Sequence, residues 1–196
     1  MSSRRPQARR RLHPVEHADL AVATAVALDG RTRAARRIGA FAELGDQPPL
    51  RLLSALAIVA GAIRRDPKLV RTGLRMLAAH GVATTVKSLI KGRIDRTRPG
   101  DAMDKGHYRL DPGDSGQDRL TSMPSGHSAG VAAVAAAIAR EYPRAGSAAG
   151  LAATAIVAAQ LPAKNHYLSD VVVGTAIGLV AEAAVAATIR VAGGRD

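Results

Sequence analysis

Five apolar blocks, separated by stretches rich in Arg and Lys, make up most of the chain after residue 51. They are residues 52–63, 76–86, 120–139, 146–163 and 171–189. A membrane-spanning helix needs about 20 predominantly apolar residues, with a range of about 17–25. The third and fourth blocks reach this length without a charged residue, the fifth contains only Glu182, and the first two reach it with flanking cations that extend to the interface. The pattern predicts an all-α integral membrane helical bundle with about five spanning helices.

The residues before the first block follow a different pattern. Residues 1–16 contain five arginines and two prolines, which is typical of a disordered basic arm. Residues 15–42 combine small apolar patches with arginines, which favours one or two amphipathic helices lying on the membrane surface. Residues 92–122 form a long polar connection without strand-like alternation. We therefore divide the chain into the arm, 1–16, and a single membrane domain, 17–196, that begins with an N-terminal amphipathic helix.

Composition and charge narrow the classes of function. The 28 Lys and Arg residues against 16 Asp and Glu give a formal net charge of +12. Such a charge attracts anionic lipid as well as nucleic acid. Aromatic residues are only 2% of the chain and the apolar blocks are long, so we expect no nucleic-acid partner. The sequence has no cysteine, which excludes disulfides, thiolate metal sites and a cysteine nucleophile.

Three short clusters carry the polar residues that are suited to chemistry. The first is KGRIDRTRP, residues 91–99, after the second apolar block. The second is PSGH, residues 124–127, near the start of the third block, and the third is HYLSD, residues 166–170, before the fifth. If each block spans the membrane once, helix counting places all three clusters on the same side. We therefore expect them to form one site.

The first two clusters have the residue types of an anion site. Lys91 and Arg98 are seven residues apart, two helical turns, and two cations on one side suit a phosphoryl dianion. Ser125 is a favourable helix N-cap, and Gly126 leaves the free backbone N–H groups of the helix start accessible to an anion. His127 would lie beside that anion, where it could transfer a proton. Taken singly, the cations also fit interfacial charges, and the Ser-Gly-His sequence also fits a capped helix start.

The third cluster contains a histidine and a carboxylate at helical spacing. His166 and Asp170 are four residues apart, so on a helix the carboxylate can orient the imidazole and favour one tautomer. A histidine oriented in this way is a suitable nucleophile toward phosphorus. A purely structural pair at this spacing is the alternative. The three clusters together indicate a phosphoryl-transfer site, because the separate structural explanations would all have to hold at once.

These motifs, in this order, resemble the type 2 phosphatidic acid phosphatase superfamily, which also includes bacterial acid phosphatases and vanadium haloperoxidases. The matching patterns are Lys91-x6-Arg98-Pro99, Pro124-Ser125-Gly126-His127 and His166-x3-Asp170. The resemblance covers about residues 40–190. It implies a membrane-helix bundle that hydrolyses a phosphomonoester or diphosphate through a phosphohistidine intermediate, with neither metal nor cofactor.

The resemblance also implies a role for each matching residue. His166 would be the nucleophile, Asp170 its orienter and His127 the acid that protonates the leaving oxygen. The phosphoryl oxygens would be held by Lys91, Arg98, Ser125 and Gly126.

One position departs from the family pattern. The family usually has Ser-Arg, with the Arg six residues before the nucleophile, and this chain has Ala159 and Gln160 there. Gln160 can donate a neutral hydrogen bond, but a charge-assisted bond is roughly twice as strong. Lys164 is a candidate substitute four residues further on. We therefore include Gln160 and Lys164 in the predicted phosphate-binding set.

The interpretation that follows is a membrane-bound lipid phosphatase. Its partners would be the bilayer and a lipid phosphate: an isoprenoid diphosphate, phosphatidic acid or phosphatidylglycerophosphate. A vanadate-dependent haloperoxidase-like enzyme and a non-catalytic membrane-surface phosphate-binding protein are the alternatives, and the oligomeric state stays open. The protein would lie in a bacterial-type inner or plasma membrane. If residues 15–42 lie on the surface, the arm and the site share a face, and the five arginines of the arm favour an inward-facing site. If residues 20–28 cross the membrane, the site faces outward. We take the outward orientation, because residues 64–71, opposite the site, contain four cations.

Two further expectations concern the inside of the bundle. Gly174 and Gly178 form a small-xxx-small pair that permits close packing of the last helix. At 1.5 Å per residue, Glu182 lies at about the same depth below the site as His80. We therefore hypothesise that Glu182 pairs with His80 or Lys87.

Overall fold

The computed structural model describes residues 12–193, which form a bundle of α-helices with a small two-stranded sheet. The helices are α1 (Pro14–Val26), α2 (Arg33–Ala42), α3 (Gln47–Ile63), α4 (Pro67–Lys91), α5 (Pro99–Lys105), α6 (Gly126–Glu141), α7 (Pro143–Ala159) and α8 (Leu168–Gly193). Strands β1 (Ile94–Arg96) and β2 (Leu110–Pro112) pair in antiparallel fashion. Two 3-10 turns, Glu43–Gly45 and Asp118–Leu120, complete the described elements.

Helix α6 is the central element, because it contacts α4, α7 and α8. It begins where Ser125, the N-cap, accepts a hydrogen bond from the Ser128 amide. Residues 128–134 of this helix are all buried. A Cβ at Gly174 would lie 2.4 Å from the Ser125 carbonyl oxygen, and one at Gly178 would lie 2.3 Å from that of Ala129. The predicted close approach of α8 is therefore confirmed, and it fixes the start of α8 against the start of α6.

The outer faces of the bundle carry large apolar side chains. Ile63 of α3 is 77% exposed, Leu151 of α7 is 75% exposed and Val180 of α8 is 68% exposed. In contrast, Ser54, Gln160 and Glu182 are buried inside. An apolar exterior of this kind is typical of a surface that contacts another apolar phase or partner.

The helix lengths bear on the predicted number of spans. Within residues 12–193 one helix, Leu168–Ala192, is long and apolar enough by length and composition to cross a membrane. Helices α3, α6 and α7 have 17, 16 and 17 residues, shorter than the roughly 20 of a standard span. The helical architecture is confirmed, whereas the number of five spans stays a prediction.

The N-terminal region and the polar connection differ in detail from the sequence expectations. Residues 1–11 of the predicted arm lie outside the described residues, and α1 already begins at Pro14. The amphipathic region 15–42 forms two helices, α1 and α2. The connection 92–122 contains β1, α5 and β2, although no strand was expected there. Strands of three residues are too short for alternation to reveal them.

The hypothesised partners of Glu182 are wrong. Arg140, near the end of α6, donates from Nε and Nη2 to the Glu182 carboxylate at 2.7 and 2.6 Å. Helical rise gives the depth of a side chain but not its direction around the helix axis. The fixed fork of Arg140 reaches both carboxylate oxygens, which makes it the partner that satisfies this buried charge.

Candidate active site

His166 occupies the connection just before α8 and has one free ring nitrogen. Its side chain is 2% exposed, and Nδ1 lies 2.7 Å from the backbone carbonyl oxygen of Ser122. A carbonyl oxygen can only accept, so Nδ1 carries the hydrogen in the neutral ring. The lone pair of the neutral imidazole is therefore on Nε2.

The surroundings of His166 favour this neutral form. Burial is the main cause that lowers the pKa of the His166 imidazole well below its usual value. The positive charges of Arg98 and Lys91 lower this pKa further, although the Ser122 carbonyl acts in the opposite direction. At neutral pH the ring is uncharged and its lone pair is available for attack.

Asp170, the expected orienter, does not contact the histidine ring directly. Its Oδ2 lies 3.9 Å from His166 Nδ1, beyond hydrogen-bond distance. The same Oδ2 accepts from the Ser122 hydroxyl at 2.6 Å and from the Tyr167 amide at 2.9 Å. The direct bond expected from the i, i+4 spacing is thus replaced by a relay, in which Asp170 fixes Ser122 and the Ser122 carbonyl fixes His166.

A buried arginine that sequence reasoning missed holds Asp170 in place. Arg96, 1% exposed, donates to Asp170 Oδ1 at 2.5 Å and to Asp19 Oδ2 at 2.6 Å. Its guanidinium carbon lies 4.3 Å from the centre of the Tyr167 ring. Arg96 lies in the first cluster, but nothing in the sequence distinguishes it from the other arginines there.

Asp19 connects the N-terminal helix to this network. It lies on α1 and accepts from the Ser169 amide at 2.9 Å and from the Ser169 hydroxyl at 2.5 Å. Asp19 therefore caps the first turn of α8 from a distant part of the chain. The sequence signal for this contact is only an acidic residue before the apolar stretch 20–28.

His127 lies in the first turn of α6 and faces the same region as His166. The two ring centroids are 6.3 Å apart, and the ring planes are inclined at 59°. His127 Nε2 lies 3.7 Å from Glu43 Oε2, a residue that the sequence analysis did not single out.

Two predicted cations converge on the segment that supplies Ser122. Lys91 Nζ donates to the Thr121 carbonyl at 2.6 Å. Arg98 Nε donates to the Asp118 carbonyl at 3.0 Å, and its Nη2 lies 3.4 Å from Thr121 Oγ1. These hydrogen bonds hold the Lys91 and Arg98 side chains in position. Each side chain keeps further N–H groups that can donate to an anion. Lys91 and Arg98 therefore lie beside the same segment, close enough to His166 for their charges to lower the pKa of its ring. Their assignment to phosphate stays a prediction.

Ser125 and Gly126 form the start of α6. Ser125 Oγ accepts from the Ser128 amide at 3.3 Å and from the Ser128 hydroxyl at 2.9 Å. The N–H groups of the first helical turn have no intrahelical acceptor. A Cβ at Gly126 would lie 3.5 Å from Nζ of Lys87, another cation that was not assigned to the site.

Gln160 and Lys164 have roles in the fold that the sequence analysis did not foresee. Gln160 is fully buried, donates from Nε2 to the Ala42 carbonyl at 3.1 Å and accepts from Asn165 at 3.1 Å. Lys164 has a positive φ of 60°, and its carbonyl accepts from the Gly100 amide at 3.2 Å. Both ends of the Gln160 amide are thus engaged by protein groups, and its assignment to phosphate stays a prediction.

The chain matches a known protein family over a range that includes both histidines of this site. The model of the PAP2 superfamily matches residues 72–192, and the chain belongs to that superfamily. The matched range contains all three clusters. No curated protein sequence is similar enough to this chain to count as a match.

Two solved structures share the fold. One is the transmembrane PAP2 type phosphatidylglycerolphosphate phosphatase from Bacillus subtilis, with a TM-score of 0.59 and 19% identity over 90% of this chain and 86% of that chain. The other is LpxE from Aquifex aeolicus, with a TM-score of 0.59 and 19% identity over 86% of this chain and 94% of that chain.

Proposed function

We propose that this chain is a membrane-bound phosphatase that hydrolyses a phosphomonoester or diphosphate of a lipid through a phosphohistidine intermediate on His166. One observation carries the proposal. The buried His166 ring is fixed by the Ser122 carbonyl in the tautomer with a free Nε2, and a second histidine lies 6.3 Å away. Membership of the PAP2 superfamily supports the same reaction class.

The reaction would proceed in two displacements. In the first, the Nε2 lone pair of His166 attacks phosphorus, the bond from phosphorus to the leaving oxygen breaks, and His127 donates a proton to that oxygen. In the second, neutral His127 takes a proton from water while the water oxygen attacks phosphorus. The bond between phosphorus and His166 breaks, and inorganic phosphate and the free histidine remain.

Fixed charges would stabilise the transferring group. Lys91 and Arg98 are each anchored by the segment 118–121, so their remaining N–H groups need little reorganisation to meet phosphoryl oxygens. The N–H groups at Gly126 and His127 would bind another oxygen at the start of α6. In this proposal cations and backbone dipoles supply the positive field, so hydrolysis does not need a metal ion.

The lipid character of the substrate is supported by the outer surface of the bundle. Apolar side chains on α3, α7 and α8 face outward, as helices in contact with acyl chains require. Isoprenoid diphosphates, phosphatidic acid and phosphatidylglycerophosphate all present a phosphoryl group at the bilayer surface. Phosphatidylglycerophosphate is included among the candidate substrates also because one structure with this fold is a phosphatidylglycerolphosphate phosphatase.

The proposed orientation has the site facing outward. Arg64, Arg65, Lys68 and Arg71 flank the connection between α3 and α4, at the opposite end of α4 from Lys91. Cationic loops favour the cytoplasmic side. Because the chain has no cysteine, Lys105→Cys and Arg64→Cys give single labelling sites. In intact cells a membrane-impermeant maleimide should label the first and not the second, and the reverse pattern would reverse the orientation.

Phosphate release from a panel of these lipids tests the reaction. The purified protein in detergent is assayed with EDTA present, beside His166→Ala and the control His107→Ala, a substitution at an exposed histidine. We expect release by the wild type and by His107→Ala but not by His166→Ala. No release by the wild type from any lipid would favour the non-catalytic binding protein. Halide oxidation that depends on added vanadate would favour the haloperoxidase.

A further inference from the structure

We infer that Lys87 is a third phosphate-binding cation of this site, in addition to Lys91 and Arg98. This inference rests on the proposed phosphate site and extends it to a residue that lies outside all three sequence clusters. The motifs of the sequence analysis begin at Lys91, one helical turn further along α4.

A first argument for the inference is the position of the Lys87 side chain. Its side chain extends from α4 across the start of α6, so that a Cβ at Gly126 would lie 3.5 Å from Nζ, 3.6 Å from Cε and 3.7 Å from Cδ. The ammonium group is therefore next to the first N–H groups of α6. Lys91, four residues later on α4, is close enough for the two positive charges to affect each other.

A second argument is that the Lys87 ammonium group has no hydrogen-bond or ion-pair partner among the described residues. The side chain is partly buried, and within residues 12–193 no hydrogen bond or ion pair engages its ammonium group. Asp46 is the carboxylate that attracts it electrostatically, from beyond ion-pair distance. An ammonium carries three donors, and a partly desolvated one without a partner is costly. An anion bound between Lys87, Lys91 and the start of α6 would satisfy all of these groups together.

A third argument for Lys87 is that the other candidate groups already make hydrogen bonds within the protein. Gln160 uses its amide to join the Ala42 carbonyl and Asn165, and it carries no charge. Arg96 donates from Nη1 to Asp170 and from Nη2 to Asp19. Lys87 is thus a cation beside the start of α6 whose donors are not used by the fold, and its charge complements a phosphoryl dianion.

Vanadate binding by the purified full chain tests the inference separately from hydrolysis. Isothermal titration with orthovanadate in detergent is carried out on the wild type, Lys87→Gln and Lys87→Arg. Lys105→Gln is the matched control, because Lys105 is exposed and pairs with Asp101 on α5. We expect the dissociation constant to rise about tenfold or more for Lys87→Gln, and to stay within about threefold for the other two variants.

The outcomes are distinct. Wild-type affinity in Lys87→Gln, or an equal loss in Lys105→Gln, would overturn the inference even if lipid hydrolysis is found. The expected binding pattern without phosphate release by any variant would support Lys87 as an anion ligand and contradict the proposed hydrolysis. The thermal unfolding midpoint of each variant is recorded, and Lys87→Arg shows whether a loss in Lys87→Gln reflects charge rather than folding.

Discussion

The imidazole of His166 is hydrogen-bonded to the backbone carbonyl of Ser122, 2.7 Å from Nδ1. The Ser122 hydroxyl in turn donates to Asp170 at 2.6 Å. Ser122 therefore links the His166 ring to the Asp170 carboxylate through both its backbone and its side chain. This arrangement sets the tautomer of His166 by a group that cannot titrate, while Asp170 fixes the position of that group.

The relay predicts similar costs for two substitutions. Asp170→Asn removes the charge that Arg96 and Ser122 bind, so the Ser122 carbonyl shifts and His166 loses alignment. A misplacement of about 1 Å can cost about 10²-fold in rate, and we expect kcat to fall by that order. Ser122→Ala removes the hydroxyl through which Asp170 holds Ser122, so kcat should fall by a comparable factor. Steady-state kinetics on both variants measures kcat, and a wild-type kcat in Ser122→Ala would contradict the relay.

The buried ion pairs of Arg96 predict that its substitution lowers the stability of the protein strongly. Arg96→Met leaves the buried carboxylates of Asp19 and Asp170 without their cation, and breaking a buried pair costs about 3–5 kcal/mol. Lys105→Met is the matched control, since the Lys105 side chain is 56% exposed and such surface pairs contribute about 0–1 kcal/mol. Equilibrium unfolding in mixed micelles measures the free energy of unfolding of each variant. Similar stabilities for the two variants would show that Arg96 is not the central link.

The contact of α8 with α6 predicts an effect of one added methyl group. Gly174→Ala would place a Cβ 2.4 Å from the Ser125 carbonyl oxygen and force the two helix starts apart. Overpacking of this kind costs about 1–3 kcal/mol, and activity should fall as well because Ser125 begins the anion site. Gly150→Ala on α7, with nothing within 4 Å of its Cβ, should lower neither stability nor activity. An active, stable Gly174→Ala variant would be inconsistent with this packing.

The environment of His166 predicts its behaviour on acidification. Because burial lowers the pKa of His166, its neutral form persists as pH falls through the usual value of about 6.5. In a nitrogen-15 NMR titration the His166 ring should stay neutral well below that pH. The signal is assigned by its absence in His166→Ala. Protonation of that ring with a midpoint at or above 6.5 would refute the lowered pKa.

The sequence predicted the residues of the three clusters because each lies in a short, ordered motif. It did not predict Ser122 as the partner of His166, since a backbone carbonyl leaves no trace in the side-chain pattern. Asp19 and Arg96 were missed for another reason. Their contact joins α1 to β1 and α8, and no local periodicity reports a pairing between such distant segments.

Two other expectations show where local reasoning ends. Gly174 and Gly178 were predicted correctly because small residues at helical spacing have one main use, the close approach of another helix. Glu182 was assigned to the wrong partners, since its depth in the bundle did not reveal which neighbouring helix would offer a guanidinium. Arg140 supplies it from α6.

The central claim, a covalent phosphohistidine on His166, is tested most directly by trapping it. His127→Ala is mixed with radiolabelled p-nitrophenyl phosphate, whose leaving group needs little protonation, and is quenched after seconds. Because His127 also activates water, the intermediate should accumulate. The account predicts an acid-labile, base-stable label that maps to His166 and is absent from a His127→Ala, His166→Ala double variant. Full hydrolysis without any label on His166 would contradict it.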